Sequence, residues 1–369
     1  MIITRSPLRI TLGGGGTDLP SYYERYGGAV LNVAINKYFY TVVGKRFDGR
    51  VQVISSDLRI FETWHDVAAM PVQGSGLEIP LAVLKDLGTS LAVDLFLASE
   101  IPPGTGLGSS ASVCVNILKS LSTCLGRSLS KYELAERAFA ITRHQLGRHV
   151  GKQDEYAAAF GGLNYISFYP DGGTKVEPLS VDPNIVSQLQ ANLMLFFTGS
   201  AHHSWDILAN QERASLSRTG TTVEALHEIK ESALHMRDAL ISGDLRRFGT
   251  LLHHTWQAKK RASEFASTPH IDRLYQLARE HGALGGKITG AGGGGFLLLY
   301  CEPDTQFAVR SAFQREGIQE MNFNFDMQGA QVIVNDPFID GDGRGGTRWT
   351  FLPISQEALS NPFAIERQA

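Results

Sequence analysis

The sequence predicts a two-domain protein of the α+β class. Three observations point there. The 369 residues, 43% of them hydrophobic, can bury more than one sizeable core. Up to about residue 185, runs rich in β-branched and aromatic residues alternate with helical patterns. Beyond that point the composition shifts to successive amphipathic helical patterns, which lead into one more apolar strand–loop–strand. The expected division is therefore 1–185, 186–335 and a Gly-rich, then irregular tail over 336–369.

"AVLNVAINKYFYTVVGKRF" (29–47), "RVQVISS" (50–56) and "LAVDLFLASEI" (91–101) read as strands. "ASVCVNILKSLSTCLG" (111–126) reads as a helix ending at Gly126. "SKYELAERAFAITRHQLG" (130–147) opens with Ser130 and, three residues on, Glu133, the pattern of a capping box. Its apolar positions Leu134, Ala138, Ile141 and Leu146 share one face, and Gly147 is the expected stop. "TVEALHEIKESALHMRDALISG" (222–243) is the clearest of the later helices, and "KITGAGGGGFLLLYC" (287–301) returns to strand–loop–strand.

The formal net charge of −3, with acids and bases interspersed, argues against a nucleic-acid binder or a basic membrane-surface protein. Cys114, Cys124 and Cys301 form no CxxC pair, so free thiols in a reducing compartment are expected. The first residues hold no uninterrupted apolar segment, and nowhere is there a run of about 18 apolar residues. A cytoplasmic protein with no membrane span is expected.

Three glycine-rich stretches hold the chemical signal. "PPGTGLGSSASVCV" (102–115) sets Gly104, Gly106 and Gly108 directly before a helix start. Glycine lets backbone approach an anion, and a helix N-terminus offers unpaired N–H groups, so a flexible loop and a phosphate cradle both fit. The GxGxG spacing is not the GxGxxG of a dinucleotide site. The nearest approach to a Walker loop, "HGALGGKI" (281–288), has His281 in place of the first glycine and Ile288 after the lysine. In "PLRITLGGGGTDLPSYY" (7–23) a short strand carries Arg9 into four consecutive glycines and then Thr17 and Asp18, more glycine than a hairpin with an Asx turn needs. "TGAGGGGF" (289–296) lies between apolar strands, where a bulge or close backbone packing would also account for it. A fourth feature, "GRHVGKQDEYAAAFGG" (147–162), places Asp154 between glycines and an alanine-rich helical turn.

The order "PLRITLGGGGTDLP", "PPGTGLGSSAS", "GKQDEYAAAFGG", "KITGAGGGGF" resembles the GHMP kinases, small-molecule kinases that include galactokinase, homoserine kinase and mevalonate kinase. The likeness covers nearly all of 1–335. The first motif and "GKQDEYAAAFGG" look most like the D-glycero-D-manno-heptose 7-phosphate 1-kinase branch. The resemblance implies a ribosomal S5-like N-terminal domain that holds ATP and a ferredoxin-like C-terminal domain. It implies ATP- and Mg²⁺-dependent phosphorylation of the C1 hydroxyl of a sugar already phosphorylated at its far end. The implied partners are the sugar phosphate and ATP; a homodimer stays open.

Roles carried over on the matching motifs are also implications of that resemblance. The stretch Pro103, Gly104, Gly106, Leu107, Gly108, Ser109, Ser110 and Ala111 would hold the ATP phosphates, with the Ser110 hydroxyl on Mg²⁺. Asp154 would face the attacking hydroxyl as base or orienting acceptor, and Arg9 would neutralise developing charge and keep Asp154 ionised. Gly15, Gly16, Thr17, Asp18, Lys152, Gly292 and Gly293 would meet the sugar. One departure stands out: Thr142 occupies the metal position where the family usually has glutamate, and a hydroxyl is a poorer ligand for a hard cation. Weaker Mg²⁺ binding, ligation through water, recruitment of Glu136 or another acid, and a catalytically impaired sugar or nucleotide binder all follow as alternatives. Another sugar 1-kinase of the superfamily is the nearest rival. Lys37, Arg59, Arg148, Lys152, His202 and His203 are the candidate cations for a distal phosphate.

Overall fold

In the computed structural model, residues 1–66, 69–88, 91–199, 209, 212 and 220–336 are described. The α+β expectation holds. The strand β1 (Ile2–Gly13) pairs antiparallel along the 18-residue β2 (Gly28–Lys45), which is long enough to serve two further partners. Its first part pairs with β6 (Leu163–Phe168), itself joined to β7 (Thr174–Pro178). Its second part pairs with β5 (Val93–Ser99), and β3 (Val51–Ser55) and β4 (Ile60–Trp64) extend that end. At the other edge β1 receives β11 (Gln331–Asn335), so the chain returns late to the sheet it began. The order β11-β1-β2-β5-β3-β4, with β6 and β7 branching from β2, gives eight strands.

A second sheet, β8-β10-β9, is built from β8 (Leu193–Phe197), β9 (Gly285–Ile288) and β10 (Phe296–Tyr300). "LMLFF" and "FLLLY" are continuous apolar runs rather than alternating ones, because both faces of these strands are covered. One face meets Leu8, Ile10 and Leu12 of β1, together with Phe248 and Leu252 of the helix Leu245–Ala262. The other packs on Trp256, Tyr275 and Phe313.

The helix α3 (Ser109–Cys124) lies on the large sheet and is pinned by polar contacts: Ser112 Oγ donates to Ser6 O at 3.0 Å, and Asn116 Nδ2 to Phe39 O at 2.9 Å. The helix α4 (Lys131–Ala140) has the capping box expected at Ser130 and Glu133. It does not run regularly to Gly147. It widens into a π turn over Ile141–Gln145, where Leu146 N donates to Ile141 O. Such turns recur at functional sites. The helices α1 (Pro20–Tyr26), α2 (Glu78–Leu87), α5 (Gln153–Phe160) and α6 (Pro183–Asn192) complete the first part of the chain. Cys114 and Cys301 are buried, Cys124 is half-buried, and all three are free thiols. Among the described residues, no helix is long and apolar enough to cross a membrane.

Candidate active site

The glycine-rich stretches meet in space. Gly104, Gly106 and Gly108 each adopt positive φ, so every second residue of the loop needs a backbone that side chains resist. The loop delivers the chain into α3, whose N-terminus has no side-chain cap, leaving the first N–H groups open. A Cβ on Gly106 would stand 2.6 Å from Thr289 O, and one on Gly290 2.6 Å from Gly106 Cα. The third stretch is therefore packed backbone to backbone against the second. In the first stretch, the Thr17 hydroxyl lies 2.8 Å from Gly14 O and 2.9 Å from Ala29 O, fastening the turn to β2.

These contacts enclose a cavity of about 700 Å³. Arg9 enters from β1, 5% exposed, and Asp154 from the first turn of α5, 26% exposed. Arg9 Nε is 2.6 Å from Asp154 Oδ1 and Nη2 is 2.7 Å from Oδ2, a two-point pair, while Nη1 donates to Gly106 O at 2.6 Å. Asp18 sits beside them and is buried. Its Oδ1 accepts from Gly16 N and Gln153 Nε2, both at 2.9 Å, and its Oδ2 from Gln153 N at 3.2 Å. Burial raises the Asp18 carboxyl above its usual range and Asp154 adds to this, against the pull of the N–H donors.

Of the expected site residues, Arg9, Gly15, Gly16, Asp18, Pro103, Gly104, Gly106, Gly108, Ser109, Ser110, Ala111, Thr142 and Asp154 line this cavity. The Leu107 side chain is wholly buried in the core, and its carbonyl accepts from Arg9 N at 3.0 Å. Four expectations need correction. The Thr17 hydroxyl serves the turn. Gly292 and Gly293 face the 263–268 loop instead of the cavity: Gly293 N donates to Ala266 O, and a Cβ on Gly292 would strike Ala266. Gly290 and Ala291 line the cavity in their place. The Lys152 ammonium is committed to Glu136 Oε1 at 2.9 Å and Gly172 O at 2.7 Å, in a separate cleft. Of the candidate cations for a distal phosphate, Arg148 alone among the described residues lines the cavity; His202 and His203 lie outside the described residues.

Of the cavity residues that went unread in the sequence, four bear most on its electrostatics. Gln153 links Asp18 to the Thr11 hydroxyl, which donates to Gln153 Oε1 at 2.6 Å. Lys259 donates to Gly290 O and Lys287 to Thr11 O at 2.8 Å, and both are buried. Burial, then the Arg9 charge, brings the Lys259 ammonium down to about 7. Burial, then Lys259 and Arg9, holds the Lys287 ammonium well below its ordinary value. A lone lysine inside "GALGGKITG" was a legible signal; Lys259, in the run "KKRA" at a helix end, reads as an exposed cation facing the helix dipole.

The fourth is Glu155. Its carboxylate is 2% exposed; Oε1 lies 3.0 Å from the Thr142 hydroxyl and Oε2 has no partner. Burial raises this carboxyl well above its usual range and Asp154 adds to it. Thr142 does not reach outward as a free ligand. Its one proton is shared among Ala138 O at 3.0 Å, Phe139 O at 3.2 Å and Glu155.

Comparison with known proteins identifies the family. Residues 78–162 match the GHMP kinases N terminal domain and residues 236–319 the GHMP kinases C terminal region. The chain is 33% identical over 335 residues to the D-glycero-alpha-D-manno-heptose 7-phosphate kinase of Campylobacter jejuni, covering 89% of this chain and 98% of that protein. It is 28% identical to the L-fucokinase/L-fucose-1-P guanylyltransferase of Bacteroides fragilis, covering 83% of this chain and 35% of that one. The crystal structure of a D-glycero-D-manno-heptose 1-phosphate kinase from Bacteroides thetaiotaomicron superposes with a TM-score of 0.76 at 30% identity, covering 90% of this chain and 98% of that one. The chain thus belongs to the GHMP kinases, and within them it is a sugar kinase, a phosphotransferase with an alcohol group as acceptor and ATP as phosphoryl donor.

Proposed function

We propose that the protein phosphorylates the anomeric C1 hydroxyl of D-glycero-D-manno-heptose 7-phosphate, giving the 1,7-bisphosphate. The observation that carries the transfer chemistry is the Arg9–Asp154 pair, held at the edge of an uncapped helix N-terminus. The likeness to the C. jejuni enzyme, nearly end to end, supports the heptose.

Phosphoryl transfer is mostly positioning and neutralisation of charge. The open N–H groups at the start of α3 would receive the ATP phosphates. Phe39, Leu77, Ile79 and Leu97 give the same cavity an apolar end suited to a purine. Asp154 keeps lone pairs beyond those held by Arg9, and is exposed enough to accept from the C1 hydroxyl. Arg9, fixed by Gly106 O and by Asp154, keeps its cation between nucleophile and cradle, where charge develops. Asp18, oriented by three N–H groups, would take a sugar hydroxyl, and Arg148 would face the distal phosphate.

Mg²⁺ fits this cavity: the donors are hard oxygens, and one buried carboxylate oxygen, Glu155 Oε2, has no partner. The Ser110 hydroxyl, exposed on the cavity wall, would hold the ion; when bound, Mg²⁺ supplies neutralisation of phosphate charge.

The two heptose-kinase names place the existing phosphate differently, at C7 or at C1. ATP consumption over heptose 7-phosphate, heptose 1-phosphate, mannose, fucose and mevalonate decides between them. Turnover of the 7-phosphate, at a kcat/KM well above the rest, is expected. Preference for the 1-phosphate or a free sugar would overturn the assignment.

A further inference from the structure

We propose that the Glu155 carboxylate, and not the Thr142 hydroxyl, completes the divalent-cation site beside the ATP phosphates. This rests on the ATP-dependent reading above and adds a ligand from a position the motifs did not mark.

A buried carboxylate is costly unless several donors or a cation meet it. On the protein side Glu155 is met by the Thr142 hydroxyl and its own backbone N–H. Oε2 is unpartnered, and Oε1 has the Thr142 hydroxyl, whose single proton two backbone carbonyls also attract. The charged side chains that act on it most, Asp154 and Asp18, are themselves acids. The side chain is nevertheless held in place, on the wall of the ATP cavity, by a helix packed against α3.

Its position suits a cation bound to phosphate. Ser110 stands in the first turn of α3, and Glu155 stands in the first turn of α5, which packs against α3. Both line the cavity in which the phosphates would rest. Among the described residues no three His, Cys, Asp or Glu side chains form a self-sufficient metal site. That is the expected pattern for Mg²⁺, which keeps waters and takes phosphate oxygens along with one or two protein donors.

The other carboxylates of the cavity each have a partner: Asp57, which is exposed, accepts from Ser55 Oγ at 2.8 Å, and Glu78 lies 3.8 Å from Arg148. Asp18 accepts three N–H groups and Asp154 holds Arg9 at two points. Glu136 is bound by Lys152 and Tyr156, in the separate cleft.

The test uses the full chain, Mn²⁺ as the probe and a non-hydrolysable ATP analogue without sugar, with bound Mn²⁺ read by electron paramagnetic resonance. Glu155→Gln keeps the size of the side chain and a partner for Thr142. It should weaken Mn²⁺ in the nucleotide complex by about tenfold or more, while metal-free nucleotide binding stays within about twofold. Adding Thr142→Glu should recover most of the loss. Mn²⁺ affinity unchanged in Glu155→Gln would overturn the proposal. Should that variant not fold, Thr142→Val serves: retained Mn²⁺ affinity supports Glu155 as the ligand, and its loss contradicts it. Because no sugar is present, the outcome is separable from the heptose assignment: heptose turnover with unchanged Mn²⁺ affinity sinks only this proposal. Glu155-dependent Mn²⁺ binding without heptose turnover supports it and sinks only the substrate.

Discussion

Arg9 and Asp154, 145 residues apart in the chain, face each other through two hydrogen bonds of 2.6 and 2.7 Å, and the arginine's third nitrogen holds the carbonyl of Gly106. One side chain thus ties the candidate nucleophile-facing acid to the glycine-rich loop before α3. Asp154→Asn, which keeps the shape, should lower kcat by about 10²- to 10⁴-fold with little change in the melting temperature. Arg9→Lys retains the charge but not the planar fork, and should also lose most turnover. Steady-state kinetics beside thermal unfolding checks both.

Lys259 gives the cavity a proton switch. Its ammonium is brought to about 7 from an ordinary 10.5. Between those values the unfolded chain holds a proton that the folded chain has released, so this site's contribution to stability rises with pH across that window. Below about 7 the full cost of the buried charge is present. Lys259→Met should therefore gain stability relative to the parent near pH 6 and lose that gain towards pH 10, read by denaturant titration. An anionic substrate would restore the charge. Calorimetry near pH 8 in buffers of different ionisation enthalpy should show proton uptake in the parent protein and less in Lys259→Met, where Lys287 remains as the depressed ammonium of the cavity.

Lys152 separates a structural cation from a binding one. Its Nζ is bound by Glu136 and the Gly172 carbonyl, away from the main cavity. Lys152→Met should cost about 1–2 kcal/mol of stability, since Glu136 can turn to water, while KM for the sugar stays within about threefold. A large rise in KM with unchanged stability would return Lys152 to the substrate.

Gly151 tests the support under Asp18. A Cβ there would stand 2.0 Å from Asp18 Oδ2. Gly151→Ala should displace that carboxylate, raising KM for the sugar far more than KM for ATP. Equal effects on both would mean that Asp18 does not face the sugar.

Features set by neighbours in sequence were legible: the Ser130–Glu133 capping box, the strand runs and the glycine loop entering α3. So was the chemical pairing of Arg9 with Asp154, through motif order. The misplaced residues share a cause, since their environment comes from distant chain. Gly292 looks like a cavity glycine until Ala266 packs against it, and Lys152 looks free until Glu136 arrives from α4. Glu155 in a helix's first turn reads as a dipole-facing acid, and only the fold shows that it is buried with an oxygen unmatched.

The most direct test is the position of the transferred phosphate, read by ³¹P nuclear magnetic resonance on the product of heptose 7-phosphate and ATP. The predicted result is a second phosphorus signal coupled to the anomeric proton, with the C7 phosphate retained. A phosphate on any other carbon, or no product while nucleotide remains bound, would contradict the assignment of this cavity as an anomeric sugar kinase site.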